Sequence, residues 1–193
     1  MKIILATHNP HKREELLALA GNSFEVELLP EDFPDIPETG NILEENARIK
    51  ARFVHERLHL SALADDTGLE VEALDGAPGV YTARYAGENA SYQDNCDKLL
   101  RELQGSTDRN AMFTTIIYYI DSDNKEHVFT GSVEGRITES IRGSNGFGYD
   151  PIFEPIEGHG KTFAEMTSQE KNRLSHRARA MQKFLRYIEA GTE

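Results

Sequence analysis

Cysteine and tryptophan are nearly missing from this 193-residue sequence, which has one cysteine, Cys96, and no tryptophan. A single cysteine cannot form a disulfide within the chain, and this composition is typical of a reducing compartment. No apolar run approaches the roughly 20 residues of a membrane-spanning helix, and the apolar run after Lys2 is too short for a secretory signal. We therefore predict a cytoplasmic protein without a membrane segment.

Positive charge is also scarce. The sequence has 21 Lys and Arg residues against 33 Asp and Glu residues, which gives a formal net charge of -12. Proteins that bind long nucleic acid usually present a basic surface, so this class of partner is disfavoured. A small anion needs only a few cations, and local groups of Lys, Arg and His therefore become informative.

Segments whose apolar residues have the spacing of a strand alternate along the chain with segments that have the spacing of a helix. This order is typical of an α/β protein. The spacing predicts strands at residues 2–6, 24–29, 112–120 and 126–138. It also predicts a short strand that ends in residues 65–68, followed by strand-like alternation at Leu69, Val71 and Ala73. It predicts helices at residues 10–20, 41–58 and 91–103, and one continuous helix from a capping box at 167–170 to Ile188. Because no internal repeat or linker is evident, we predict one domain over residues 1–193.

The first candidate site is THNPHK, residues 7–12. A strand, a tight turn and a helix N-terminus form a standard place to bind phosphate. Asn9 suits the N-cap and Pro10 suits the first helical position. His11 and Lys12 then open the helix, where its dipole disfavours each cation by about 0.3–1 kcal/mol. A bound polyphosphate would reverse that effect, and the alternative is an exposed helix end with tolerated charges.

Carboxylates form the second candidate site, with Glu38 in PETG and Asp65-Asp66 in ADDTG. Ligands of α/β proteins bind at the carboxyl ends of strands, where we expect the two aspartates. Magnesium is typically held by one or two carboxylates together with substrate phosphates, and Glu38 and Asp66 suit that role. Two adjacent aspartates also predict a raised pKa in one of them. The alternative is a polar turn closed by Gly68.

Lys50 is a third candidate, because it lies seven residues after Leu43 and leans toward the apolar face of the predicted helix. Periodicity alone favours a lysine at the edge of that face, with its charge reaching solvent. The functional alternative is a buried cation that faces phosphate or metal-bound water.

In the last predicted helix, Lys171 lies in the first turn, where the helix dipole disfavours a cation, and His176 and Arg177 lie off the apolar stripe. A solvated basic face is favoured for each of the three.

The segment SNGFGYDP, residues 144–151, is a glycine-rich loop with an aromatic ring between two glycines. Phe147 could stack on a nucleobase, and Asp150 could bond either a base edge or its own backbone. In the alternative, Phe147 packs in the core and Tyr149 packs there with its hydroxyl satisfied.

Together these motifs resemble the inosine triphosphate pyrophosphatase family. The matching segments are THNPHK, PETG, ENARIKA, ADDTGLEVEALDGAPGVYTARY, GFGYDP, EK at 170–171 and SHRA at 175–178. The resemblance implies an α/β fold, with an elongated mixed sheet flanked by helices and two lobes around a central active-site cleft, and a homodimer. It implies Mg²⁺-dependent hydrolysis of inosine and xanthosine triphosphates and their deoxy forms to the monophosphate and pyrophosphate, which cleanses the nucleotide pool.

The resemblance also implies residue roles. Substrate-binding candidates in the first loop are Thr7, His8, Asn9, Pro10, His11 and Lys12. The implied metal ligands are Glu38 and Asp66, and the implied catalytic residues are Lys50 and Asp66. Further substrate-binding candidates are Thr67, Phe147, Gly148, Tyr149, Asp150, Lys171, His176 and Arg177.

Two points stay open at this stage. His8 stands where the family usually has glycine, and either Asp65 or Asp66 could serve as general base.

Two other functions are compatible with the motifs. One is hydrolysis of modified pyrimidine triphosphates on a related fold, and the other is nucleotide binding without catalysis.

Overall fold

The computed structural model describes residues 1–191, which form a mixed β-sheet flanked by helices. The predicted fold class is therefore confirmed. The strands are β1 (Lys2–Leu5), β2 (Glu25–Leu28), β3 (Ser61–Val71), β4 (Pro78–Gly79), β5 (Asn110–Ile120), β6 (Glu126–Ile137) and β7 (Phe153–Pro155). The helices are α1 (Pro10–Ala20), α2 (Leu43–Leu58), α3 (Tyr92–Glu102), α4 (Ser168–Leu174) and α5 (His176–Ala190). Hydrogen bonds order the strands β2-β1-β3-β5-β6-β7, with β4 paired to β3.

The chain divides into two compact units. The first unit comprises residues 1–66, 115–131 and the chain from Arg177 onward, and the second comprises residues 67–114 and 132–176. The prediction of one domain over residues 1–193 stays a prediction. Within residues 1–191, no helix combines the length and apolar character needed to cross a membrane.

The first unit has a core on each face of its strands. β1 pairs in parallel with β2 and with β3. Successive side chains of a strand point to opposite faces. Ile3 and Leu5 accordingly pack in one core with residues of α1 and α5. Ile4 and Ala6 pack in the other core with residues of α2. β1 therefore runs between helices on both sides, and the loop after it carries THNPHK.

The second unit has a single core. Leu69 of β3, Leu99 of α3, Phe113 of β5 and Phe153 of β7 belong to it. β3 pairs antiparallel with β4, and β6 pairs antiparallel with β7. This core underlies the glycine-rich loop, because Tyr149 is one of its buried members.

β3 differs from the sequence prediction. It continues without a break from Ser61 to Val71, so the predicted end in residues 65–68 is wrong. The alternation predicted at Leu69 and Val71 belongs to the same strand. Both aspartates lie inside the strand and are buried, at 1% and 7% exposed. The turn-like letters ADDTG form a strand because distant cations neutralise the two carboxylates, which local propensity does not register.

The predicted last helix is also wrong as a single element. Ser175 has the extended angles φ -68 and ψ 155, which end α4 and precede α5. The predicted capping box is confirmed, since Thr167 accepts from the backbone of Glu170. His176 and Arg177 therefore begin a new helix. The predicted solvated basic face is wrong as well, because the three residues concerned are buried: Lys171, His176 and Arg177.

Candidate active site

The loop between β1 and α1 is ordered by its own side chains. Asn9 Oδ1 accepts from the backbone nitrogens of His11 at 3.0 Å and Lys12 at 3.1 Å, so the predicted N-cap is confirmed. Thr7 Oγ1 accepts from the backbone nitrogen of Asn9 at 3.2 Å. Pro10 occupies the first helical position, as predicted. The loop thus holds the backbone of residues 7–12 in one conformation.

Asp65 draws two cations together. Its Oδ2 lies 3.2 Å from Lys12 Nζ and 3.1 Å from Arg177 Nη2, and Arg177 also bonds Glu15 of α1. Burial acts to raise the pKa of Asp65, but Lys12, Arg177 and Lys50 outweigh it and hold that pKa below its usual value. The predicted raised pKa is therefore wrong for Asp65, which is a stable carboxylate.

Lys50 is buried between two carboxylates. Its Nζ lies 2.8 Å from Glu38 Oε1 and 2.8 Å from Asp66 Oδ1, and its side chain is 7% exposed. Burial acts to lower the pKa of Lys50, but the charges of Asp66, Glu38 and Asp65 prevail and raise it. The prediction of a lysine whose charge reaches solvent is wrong, because Lys50 is buried, and its contact with phosphate or metal-bound water stays a prediction. We call Lys12, Glu38, Lys50, Asp65, Asp66 and Arg177 the ionic cluster.

Glu38 and Asp66 suit a divalent cation. Each places a carboxylate oxygen 2.8 Å from the same positively charged atom, and carboxylate oxygens are preferred ligands of Mg²⁺. Within residues 1–191, no group of three or more His, Cys, Asp or Glu side chains is arranged to hold a metal ion.

His8, where the resemblance implies glycine, contacts the loop that precedes Glu38. Its Nε2 lies 3.3 Å from the carbonyl oxygen of Pro34, and its ring centroid lies 6.3 Å from that of Phe33. Both partners belong to the proline-rich loop that leads to Glu38. The ring therefore links the two loops that border the ionic cluster.

A second group lies in the second unit. Lys171 Nζ bonds Asp150 Oδ2 at 2.5 Å, and the same oxygen accepts from the backbone nitrogen of Phe147 at 2.9 Å. Asp150 thus bonds its own backbone, one of the two options left open by the sequence. Gly146 has φ +72, and a Cβ there would lie 1.9 Å from Asp150 Oδ2, so the turn requires glycine. We call Phe147, Asp150 and Lys171 the aromatic loop cluster.

The ring of Phe147 is half-buried and has two close neighbours, the ammonium of Lys171 over the ring and the tilted ring of Tyr92. Lys171 Nζ lies 5.0 Å from its centroid, and the ring of Tyr92 lies 5.8 Å away. Its neighbour Gly148 is also half-buried and has φ +62. The loop therefore presents an aromatic ring that the core does not enclose.

Three residues that were predicted to contact the substrate belong to neither the ionic cluster nor the aromatic loop cluster. Tyr149 is 2% exposed and donates its hydroxyl to the carbonyl of Thr82 at 2.9 Å, so its packing alternative is confirmed. His176 stacks on Phe113 with centroids 4.5 Å apart. Thr67 is half-buried and follows Asp66 directly in β3.

Sequence reasoning missed three supporting residues: Glu15, Asn46 and Tyr92. Glu15 lies three positions after Lys12, and Asn46 lies four before Lys50. These are the spacings at which helical residues share a face. That spacing is the signal by which both could have been found.

Comparisons with known proteins relate nearly the whole chain to one family. A model of the Ham1 family matches residues 3–187. The dITP/XTP pyrophosphatase of Thermoanaerobacter sp. (strain X514) is 50% identical over 97% of this chain and 96% of its own. The dITP/XTP pyrophosphatase of Porphyromonas gingivalis is 51% identical over 93% of both chains. The solved Staphylococcus aureus Ham1 protein is 39% identical, with a TM-score of 0.88 over 99% of this chain and 100% of its own.

Proposed function

The chain belongs to the Ham1 family, and from this premise we propose that it hydrolyses dITP, XTP and the related ITP and dXTP to the nucleoside monophosphate and pyrophosphate. Both curated relatives carry dITP/XTP pyrophosphatase activity in their names. The observation that carries the proposal is Lys50 Nζ, buried 2.8 Å from both Glu38 and Asp66. An ionic site of this kind, with a preformed loop beside β1, suits a polyphosphate rather than a neutral substrate.

We assign the triphosphate to the ionic cluster. Glu38 and Asp66 would hold Mg²⁺, which supplies positive charge that makes the α-phosphorus more open to attack. Lys50 stays protonated at neutral pH because its pKa is raised, and it stabilises charge on the phosphate oxygens. Lys12 provides a second cation from the start of α1.

Asp66 is the general base in this proposal. Asp65 is a poor proton acceptor, because Lys12 and Arg177 hold its pKa below the usual range. Lys50 contacts Asp66 through Oδ1. We therefore assign Oδ2 of Asp66 to accept a proton from the attacking water.

We assign the purine base to the aromatic loop cluster, with Phe147 as the stacking ring. A donor aimed at O6 would accept inosine and reject adenine, whose amino group would leave that donor unpaired. Arg177 already donates to Asp65 and Glu15. We therefore favour His176 or the backbone nitrogens of Gly148 and Tyr149 as the donor.

A kinetic panel tests this function. We expect Mg²⁺-dependent release of pyrophosphate from inosine and xanthosine triphosphates, with kcat/KM at least about 100-fold above that for adenosine triphosphate. The panel includes guanosine and methylated uridine triphosphates, and each reaction is repeated with EDTA. The Asp66→Asn variant is the control for contaminating enzymes and should lose about 100-fold or more in kcat.

Preference for a methylated uridine triphosphate would contradict the purine assignment and favour the pyrimidine alternative. Tight binding without pyrophosphate release would favour a non-catalytic nucleotide-binding protein.

We also propose that the protein is a homodimer in the cytoplasm, as the family resemblance implies.

A further inference from the structure

The loop that carries Glu38 is attached to the first turn of α2. Asn46 Oδ1 accepts from the backbone nitrogen of Gly40 at 2.7 Å. Glu45 Oε2 accepts from the backbone nitrogen of Asn41, also at 2.7 Å. We call these two side chains the loop clamp, because together they bind consecutive backbone groups just after Glu38.

The backbone of the loop at Gly40 packs against α2 too closely to admit a side chain. A Cβ at Gly40 would lie 2.6 Å from Glu45 Cβ and 2.9 Å from Asn46 Oδ1. The loop backbone can therefore approach α2 this closely only with glycine at position 40. Asn46 itself is 1% exposed, so water does not compete for its bond to the loop.

The clamp and the cation of the site lie on one helix. Asn46 and Lys50 are four residues apart, which places them on the same face of α2. Asn46 holds the loop at Gly40, and Lys50 bonds the loop's Glu38 two residues earlier. With the bond from Asn41 to Glu45, the helix thus fixes the loop at three points, of which only the one at Glu38 belongs to the ionic cluster.

We propose that the loop clamp positions Glu38, so that its carboxylate stays at the distance from Asp66 at which the two bind a divalent cation with the nucleotide. This inference rests on the proposed function. Asn46 and Glu45 are positioning residues and do not touch the substrate. Groups that orient metal ligands typically change metal affinity by about 10–100-fold when removed.

The chain offers a matched control in Asn95. Like Asn46, it is the fourth residue of its helix and 1% exposed, and it accepts a loop nitrogen, that of Ala86, at 2.7 Å. It lies in α3 of the second unit and serves a loop without metal ligands. Asn95 Nδ2 also donates to the carbonyl oxygen of Ala83 at 3.1 Å, so an Asn95→Ala variant loses this bond too and does not understate the general cost of losing such a bond.

The test measures binding of Mn²⁺, as a probe for Mg²⁺, by the electron paramagnetic resonance signal of the free ion. Each variant is titrated in the presence of inosine 5′-(α,β-imido)triphosphate, which cannot be cleaved at the relevant bond. We expect Asn46→Ala to weaken Mn²⁺ binding about tenfold and Glu45→Ala about threefold. Asn46→Asp keeps the acceptor oxygen and should stay within about threefold of the unchanged protein.

Asn95→Ala should lower the melting temperature about as much as Asn46→Ala while leaving Mn²⁺ binding unchanged. Equal Mn²⁺ binding by Asn46→Ala and the unchanged protein overturns the inference and leaves the proposed function intact. If Asn46→Ala fails to fold, Glu45→Ala decides, since Glu45 is exposed, and its unchanged binding overturns the inference. If the unchanged protein binds no Mn²⁺ with the analogue, the metal assignment of the proposed function is itself wrong.

Discussion

Asp65 is a carboxylate whose charge the surrounding fold requires. Its side chain is completely buried and meets Lys12 of α1 and Arg177 of α5. Breaking a buried ion pair by removing one partner leaves the other charge without compensation. Asp65 therefore contributes to stability through the two helices that it links to β3, whether or not substrate is bound.

We predict that Asp65→Asn lowers the free energy of unfolding at pH 7 by about 3–5 kcal/mol. A carboxyl with a lowered folded-state pKa stabilises above its unfolded pKa of about 3.9, and that stabilisation is lost as the pH falls below it. The difference between variant and unchanged protein should accordingly shrink from pH 7 toward pH 2. Urea unfolding followed by circular dichroism at several pH values measures it, and a pH-independent difference would contradict the assignment.

At the residue scale, the sequence identified candidate site residues correctly more often than it predicted their burial and their partners. Family motifs pointed to Lys50 and Arg177, but periodicity placed both near solvent. Their partners lie outside the reach of helical spacing, since Glu38 and Asp66 are 12 and 16 positions from Lys50. Asp65 and Arg177 are 112 positions apart. No local pattern reports such a pair, and burial of these cations follows only from the tertiary structure.

At the scale of the element, the end of a helix or strand was predictable where a nearby capping residue sets it. Ends that no nearby residue sets were not predictable. Asn9 begins α1 as expected, because a capping residue satisfies backbone groups a few positions away, and Gly21 ends the helix with its backbone nitrogen bonded to the carbonyl of Leu17. The unbroken β3 and the break at Ser175 depend on distant contacts. Both errors fall where residues of the ionic cluster sit, so the misread segments are also those with functional candidates.

The cap of α1 gives a second prediction. Asn9→Ala removes the acceptor for two backbone nitrogens and should lower the free energy of unfolding by about 1 kcal/mol. It should also raise KM for inosine triphosphate severalfold, because the loop that presents Lys12 loses its order. Steady-state kinetics together with urea unfolding measure both effects.

Ser91→Ala is the matched control, since Ser91 caps α3 through a capping box with Asp94. It should cost similar stability and leave KM unchanged. A rise in KM with Ser91→Ala equal to that with Asn9→Ala would show that the effect is one of general stability.

At the scale of the whole molecule, the chain is acidic yet keeps several cations out of solvent. Lys50, Lys171 and Arg177 are each at most 6% exposed and each pairs with a carboxylate. The net charge of -12 therefore describes a surface suited to solubility. In the proposed function, recognition of the anionic substrate depends on the few cations in the ionic cluster and the aromatic loop cluster.

The proposed homodimer gives a prediction at this scale. Size-exclusion chromatography with light scattering should give a mass of two chains, each of 21.7 kDa. The measurement is made over a range of protein concentrations, because an assembly that forms only by weak association dissociates on dilution. A mass of one chain at all concentrations would contradict the proposal.

The proposed cytoplasmic location is tested by cell fractionation, in which the protein should be recovered in the cytoplasmic fraction. Recovery in the membrane fraction would contradict the proposal.

The buried ammonium of Lys50 has a consequence for covalent labelling. Amine-directed reagents attack only the neutral amine, and Lys50 keeps its proton because its pKa is raised. Lys125 and Lys161, whose side chains are 68% and 50% exposed, meet the reagent freely. A fluorescent dye or a solid support can therefore be attached through surface lysines while the amine of Lys50 remains unmodified.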